Sequence, residues 1–178
     1  MDERLKSLEE QAGGQPDTDN PPLHLWHPPL SGDIPIVIRA DGTWYHDGGE
    51  IKRAALVKLF ASILRREEDG EYYLVTPVEK WRIEVERHPL MVTDVEQPTG
   101  RSTALTVTLN TGRKVIVDAR HPLFLDPEMD DIAAIALDHG LSALFTRAAW
   151  YRLAEMAEER DGVPMVSSCG EDYPLIAR

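Results

Sequence analysis

Ile34-Pro35-Ile36-Val37-Ile38 leads through Asp41-Gly42 into Trp44-Tyr45-His46. Arg53-Ala54-Ala55 then opens a helical run, and Asp69-Gly70 precedes Tyr72-Tyr73-Leu74-Val75. The first run is short, apolar and β-branched, which reads as a strand. Asp41-Gly42 is a hairpin turn and Trp44–His46 its returning strand. Ile51, Ala55, Leu59 and Ile63 recur every four residues, and Leu56, Phe60 and Leu64 widen the stripe, which predicts a core-facing helix over about 50–66. Arg65 and Arg66 would lie in its last turn, where the macrodipole favours cations.

The C-terminal half reads in the same order. Ile132–Leu137 leads through Gly140 into Ser142-Ala143-Leu144, Arg147-Ala148-Ala149 opens a helical run to Glu159, and Asp161-Gly162 precedes Met165-Val166. Aligning the copies needs two small gaps, in a loop and at the helix end, where insertions are tolerated. A duplicated strand–turn–strand–helix–strand unit has a seam between its copies, and ligand pockets prefer such places.

Between the copies, Trp81–Glu86 alternates as a half-buried strand with Ile83 and Val85 inward. Leu90–Glu96 reads as its neighbour. Leu105–Leu109 and Val115–Val117 flank Asn110-Thr111-Gly112 as a hairpin, and Pro122 and Pro127 frame Leu123–Leu125. The expected class is therefore α+β, with two modules sharing a duplicated unit. Residues 1–33 form an N-terminal arm, 34–80 a small α+β module, and 81–178 an antiparallel β-rich module closed by a helix over about 146–159. In the arm, Leu5–Ala12 predicts a short helix stopped by Gly13-Gly14. Pro16, Pro21, Pro22, Pro28 and Pro29 then impose extended chain, with Leu25, Trp26 and Leu30 as its anchors.

The 178 residues are 42% hydrophobic and 28% charged, ordinary for a soluble chain of one large or two small domains. A net charge of −12 lacks the basic footprint that nucleic acid or an anionic membrane requires, so neither is an expected partner. The single cysteine, Cys169, excludes an intrachain disulfide and a four-cysteine zinc site. That suits a reducing compartment. No apolar signal region follows Met1–Lys6 and no apolar run approaches membrane-spanning length, so a cytoplasmic location is expected.

Several motifs dissolve on inspection. His24 and His27 are spaced for a metal on a helix, but Pro28-Pro29 argues against a helix there. Asp126-Pro127-Glu128 with Asp130-Asp131 lacks the glycine and terminal glutamate of a calcium loop. Asp47-Gly48-Gly49-Glu50 is glycine-rich before a helix, yet Glu50 would repel a phosphate, so it reads as turn plus cap. Cys169 has no thiol-enzyme context. No metal, cofactor or catalytic set is expected.

Thr76-Pro77-Val78-Glu79-Lys80-Trp81 is more informative. It reads as the exit from the first module and the entry to the second. Thr76 and Glu79 offer polar groups, Trp81 offers a π-face, and Trp44 and His46 approach from the hairpin. Aromatic faces beside arginine and carboxylate groups can stack and hydrogen-bond a base.

At these residues the chain resembles the bacterial domain of unknown function 1285 family. The resemblance rests on Gly42–His46, Leu59–Glu67, Asp69–Lys80 and Ile83–Glu86, and extends from about Pro21 to Ala157. It implies a two-module α+β protein with duplicated motifs and a C-terminal module superficially like a pleckstrin-homology fold. It also implies a role in signal transduction, with a nucleotide-like ligand at the interface between modules. No activity comes with it. The leading expectation is a non-catalytic sensor or adaptor. In it, Trp44, His46 and Trp81 supply surface, Arg66 or Arg147 meets an anionic group, and Thr76 and Glu79 fix orientation. Two other readings stand beside it. One is a protein-interaction module whose acidic surface meets a peptide or basic partner. The other is a hydrolase with Glu79 or His46 as base, for which no paired acid–base set is readable.

Overall fold

Strand β1 (Gly32–Ile38) puts Ile34, Ile36 and Ile38 on one face, and all three are buried. The structure is a computed structural model that describes residues 2–177. It divides into two units. The first runs to Pro89 and includes His139–Leu141; the second comprises Leu90–Asp138 and the chain from Ser142 onward.

In the first unit, β2 (Trp44–His46) and β3 (Gly49–Glu50) follow β1. Then come α2 (Ala54–Ser62), β4 (Leu64–Arg66), β5 (Tyr72–Val75) and β6 (Lys80–Val85). They form one sheet in the order β3-β2-β1-β6-β5-β4. Its β1–β6 pair is parallel and the others antiparallel. The β1–β6 ladder skips between Asp33 and Val37. Pro35 sits in that gap, and its carbonyl accepts from Asp47 N at 2.8 Å on the β2 side.

Two expectations change here. The predicted helix over 50–66 is shorter. Gly49-Glu50 pairs with Tyr45 and His46 as β3, and Arg53 occupies the N-cap without a side-chain hydrogen bond, so no cap arises from Glu50. At the far end Ser62 Oγ donates to the Leu59 carbonyl, a local bond that competes with helix continuation. Ile63 and Leu64, both fully buried, carry the chain straight into β4. Arg65 and Arg66 therefore lie on a strand rather than in a helix's last turn. Secondly, residues 76–79 are the hairpin loop between β5 and β6, with Val75 paired to Lys80. The division drawn at 80/81 runs along β6, which lies inside the first sheet.

The N-terminal arm is ordered on the first unit. Helix α1 (Glu3–Gly13) buries Leu5, Leu8 and Ala12 and packs against α2. A single 3-10 turn over Leu23–Leu25 follows. Of the expected anchors Trp26 is buried, with Leu23 buried beside it in the sequence, whereas Leu25 is 67% and Leu30 47% exposed. Arg65 explains why. Its Nη1 donates to the carbonyls of Leu23 at 3.0 Å and Trp26 at 2.8 Å. Glu67 holds Arg65 at 2.7 Å and Lys80 at 2.8 Å. The planar guanidinium serves carboxylate and carbonyls at once.

The second unit begins with β7 (Leu90–Glu96), β8 (Thr106–Leu109), β9 (Lys114–Ile116) and β10 (Leu123–Asp126). After a short turn come β11 (Ile132–Ala136) and β12 (Ser142–Phe145). The order is β10-β11-β12-β7-β8-β9, parallel only at β12–β7. Thr146 caps α3 (Arg147–Glu155) by accepting from Ala149 N at 3.2 Å. The helix buries Ala149 and Leu153 and packs on β7 and β12. It ends earlier than expected, and Glu158–Arg160 form β13. With β14 (Val163–Ser168) and β15 (Glu171–Pro174) this makes a separate antiparallel sheet. Buried Ser168 ties that sheet down. Its hydroxyl accepts from Leu105 N at 2.8 Å and donates to the Val117 carbonyl.

The units repeat one motif. Hairpin β1–β2 corresponds to β11–β12, α2 to α3, and meander β4-β5-β6 to β13-β14-β15. They close differently. In the first unit β6 joins β1, so hairpin and meander share a sheet. In the second, β12 joins β7 and the meander stands apart.

Candidate functional site

Residues 76–79 are built around the Thr76 side chain, which is fully buried. Thr76 Oγ1 accepts from Glu79 N at 3.0 Å and Val78 N at 3.4 Å, and Thr76 N donates to Glu79 O at 2.9 Å. The loop is thereby fixed, and Glu79 with it. Both side chains meet α1. Gln11 Oε1 accepts from the Thr76 hydroxyl. Gln11 Nε2 donates to Glu79 Oε2 at 2.9 Å, and Ser7 Oγ donates to the same oxygen at 3.1 Å.

The start of α1 gathers two further candidates. Asp2 caps the helix through Arg4 N at 3.0 Å and pairs with the Arg4 guanidinium at 2.7 Å. His46 Nε2 lies 3.2 Å from Asp2 Oδ2, the same oxygen that accepts from the Arg4 guanidinium. The Arg4 hydrogen bond, against an opposing desolvation cost, holds the Asp2 carboxyl well below the ordinary carboxylate range. Arg4 also lies 5.8 Å from the Trp81 ring centroid, a cation–π distance. The indole nitrogens of Trp81 and Trp44 are buried without an acceptor among the described residues.

Thus α1 and its N-cap Asp2 touch four of the seven candidates: His46, Thr76, Glu79 and Trp81. The other three have other partners. Trp44 is 2% exposed and packs against Phe60 at 6.5 Å between centroids, so it offers core and no free stacking face. Arg66 is exposed on β4, stacked over Tyr72 and bonded to the Gly70 carbonyl at 3.1 Å. Arg147 belongs to the second unit, where its guanidinium lies over Tyr151 and its Nε donates to the Tyr151 hydroxyl at 3.0 Å. Asp2, Arg4, Ser7 and Gln11 were missed. The available signal was Ser7 and Gln11 at i, i+4, each one position before an apolar residue of the Leu8/Ala12 stripe.

The second unit carries a groove of about 340 Å³ beside the end of α3, lined by Leu105, Met156, Met165, Val166, Glu158 and Arg160. Gln97 and Met156 also line an adjoining, more open depression that includes Arg152 and Glu155. Arg152 is paired with Asp94, and Arg160 with Asp172 at 2.9 Å, so neither guanidinium is uncommitted. Among the described residues, no group of three or more His, Cys, Asp or Glu is placed to hold a metal ion. No described helix is long and apolar enough to cross a membrane.

A duplicated hairpin–helix–meander, closed once within a single sheet and once across two, defines a two-unit α+β protein. Residues 21–88 match the model of a domain of unknown function, the DUF1285 N-terminal domain, and residues 89–175 match the DUF1285 C-terminal domain. The chain belongs to the DUF1285 family. A crystal structure of a DUF1285 family protein from Silicibacter pomeroyi DSS-3 is similar at 39% identity and TM-score 0.84, over 95% of this chain and 94% of that one. One from Shewanella baltica OS155 is similar at 36% identity and TM-score 0.57, over 67% of this chain and 90% of that one. No curated protein matches the chain.

Proposed function

We propose that this protein is a non-catalytic sensor or adaptor for a small, nucleotide-like ligand, recognised on the face of the first unit formed by His46, Thr76, Glu79 and Trp81. The observation that carries this reading is the convergence of these four residues on α1 and its N-cap Asp2, with the polar atoms of Thr76 and Glu79 fixed by backbone or by that helix. A carboxylate acceptor beside a buried hydroxyl donor suits the base or sugar end of such a ligand. A phosphate would be repelled by Glu79. The test is calorimetry and thermal shift on the full chain with nucleosides and nucleotides at millimolar concentration. Stabilisation that Thr76→Val and Glu79→Gln both abolish is expected. Absence of any stabilisation of the folded protein would sink the proposal.

The groove beside α3 favours a second reading, a protein-interaction role for the second unit. Methionines adapt to varied side chains, and Glu155 and Glu158 at the rim suit a basic peptide. Capture of a lysine-rich peptide that is lost in high salt and in Met156→Asp would support it. Capture unaffected by that substitution would remove it.

A further inference from the structure

The Gln11 carboxamide is held at both ends by the β5–β6 loop. An ionised Glu79 only accepts hydrogen bonds, so the amide nitrogen faces it and the amide oxygen faces Thr76. Thr76 Oγ1 already accepts from two backbone N–H groups, which leaves its single proton for the amide oxygen. The loop therefore presents a donor and an acceptor side by side, set by buried geometry. Its present occupant is a planar, neutral group with a matching acceptor and donor.

The occupant and the subsite have different standing in the fold. Thr76 and Glu79 lie within residues 21–88, the segment that matches the family's N-terminal domain; α1 lies before it. Helix α1 has 11 residues, a length that is marginal in isolation, so docking sustains it. Its apolar hold is confined to Leu5, Leu8 and Ala12. A proline-bearing stretch over 14–31 connects it to β1, so it can leave without unpairing a strand of the sheet.

We propose that α1 is an internal competitor for this subsite, and that Gln11 marks the chemistry of the ligand that displaces it: a neutral, planar amide-type edge. Nucleobases carry such adjacent donors and acceptors along their edges, and a pyridine carboxamide carries them in the same spacing as Gln11. The inference rests on the small-ligand reading above and adds the ligand class and its regulation. Docked α1 reduces apparent affinity in proportion to the fraction of molecules in which the subsite is open. Removing the carboxamide while keeping Leu5, Leu8 and Ala12 therefore raises affinity.

The experiment is calorimetry on full-length wild type and Gln11→Ala, with adenosine, guanosine, cytidine, uridine, nicotinamide and nicotinate as probes. Hydrogen exchange of residues 3–13 is followed with and without each probe. Alanine is a good helix former, and a thermal melt verifies the fold of the variant. The expected result is binding tightened roughly tenfold or more in Gln11→Ala, faster exchange of α1 in probe-bound wild type, and no binding of nicotinate. The tightest probe tells a nucleobase from a carboxamide. Equal affinity in both proteins, still lost in Thr76→Val, overturns the competitor while leaving the ligand site standing. Nicotinate binding as tightly as nicotinamide overturns the amide edge. No binding of any probe to either folded protein overturns both this inference and the small-ligand reading.

Discussion

Leu8→Ala separates a helix that is an integral part of the core from one that is docked upon it. Leu8 is fully buried at the centre of α1, one turn from Leu5 and Ala12. Truncating a fully buried leucine costs about 3 kcal/mol, from lost transfer free energy and the cavity left behind. If α1 opens on its own, that cost falls on the docking equilibrium. At 1.4 kcal/mol per factor of ten, the opening constant rises roughly 100-fold. Hydrogen exchange by mass spectrometry reads this directly. Amides of residues 5–13 should exchange roughly 100-fold faster, while those of β1, β5 and β6 keep their protection, because local and global openings are distinct events. Uniform acceleration across the first unit would refute the reasoning. It would mean that α1 opens only when the sheet does, and that it cannot serve as a displaceable cover.

Phe60→Ala removes the fully buried ring packed on Trp44. A loss of about 4 kcal/mol is expected, read as a lower urea midpoint at unchanged slope. Arg65→Met removes the hydrogen bonds to the Leu23 and Trp26 carbonyls. At about 2 kcal/mol for charged hydrogen bonds, limited proteolysis within residues 14–31 should speed up with little change in the melting of the second unit. Tyr73 donates to Asp69, and that bond is the main cause of a phenol pKa pushed up to about 12. A raised folded-state pKa gives stability fully present below the ordinary value of 10.0 and lost as pH rises through the folded value. Asp69→Asn should bring the ultraviolet phenolate titration of Tyr73 down and remove that alkaline loss; an unchanged titration would show that another group controls Tyr73. Asp2 runs the opposite way. Its depressed pKa gives stability present above the ordinary carboxylate value of 3.8 and lost as pH falls below it. Exchange of α1 should therefore accelerate at acid pH in wild type and not in Asp2→Asn.

Both hairpin–helix units were legible because each uses local chemistry: β-branched runs, Asp-Gly or Gly turns, and a four-residue apolar spacing. The boundaries of α2 were not. Ile63 and Leu64 continue the helical apolar stripe, yet they are buried as the entry to β4, and spacing alone does not distinguish the two uses. The grouping of β6 with the first sheet was equally hidden. Its parallel partner β1 lies far back in the chain, and alternation along Trp81–Val85 says that a strand exists without saying what it pairs with. For the candidate site, Thr76 and Glu79 stood out in the sequence because a proline-stiffened loop carries two polar groups there. The residues that complete it lie on α1, a helix whose three apolar positions look alike in a docked element and a free tail. Trp44 misled because an aromatic beside a turn carries no mark of which way it faces; Phe60 claims it for the core. The cation expectations at Arg66 and Arg147 met local aromatic partners, Tyr72 and Tyr151.

The parallel closure of each unit bears on how the chain reaches its fold during synthesis. Gly32 pairs with Trp81, and Leu90 pairs with Ala143. In each unit the opening strand emerges from the ribosome long before the strand that covers its edge. Such non-local pairings slow folding because loop entropy is lost before contacts compensate it. Until β6 arrives, one edge of β1 is an open template for another chain. In the finished protein β6 closes that edge, with Glu86 N donating to the Ile38 carbonyl at 2.9 Å.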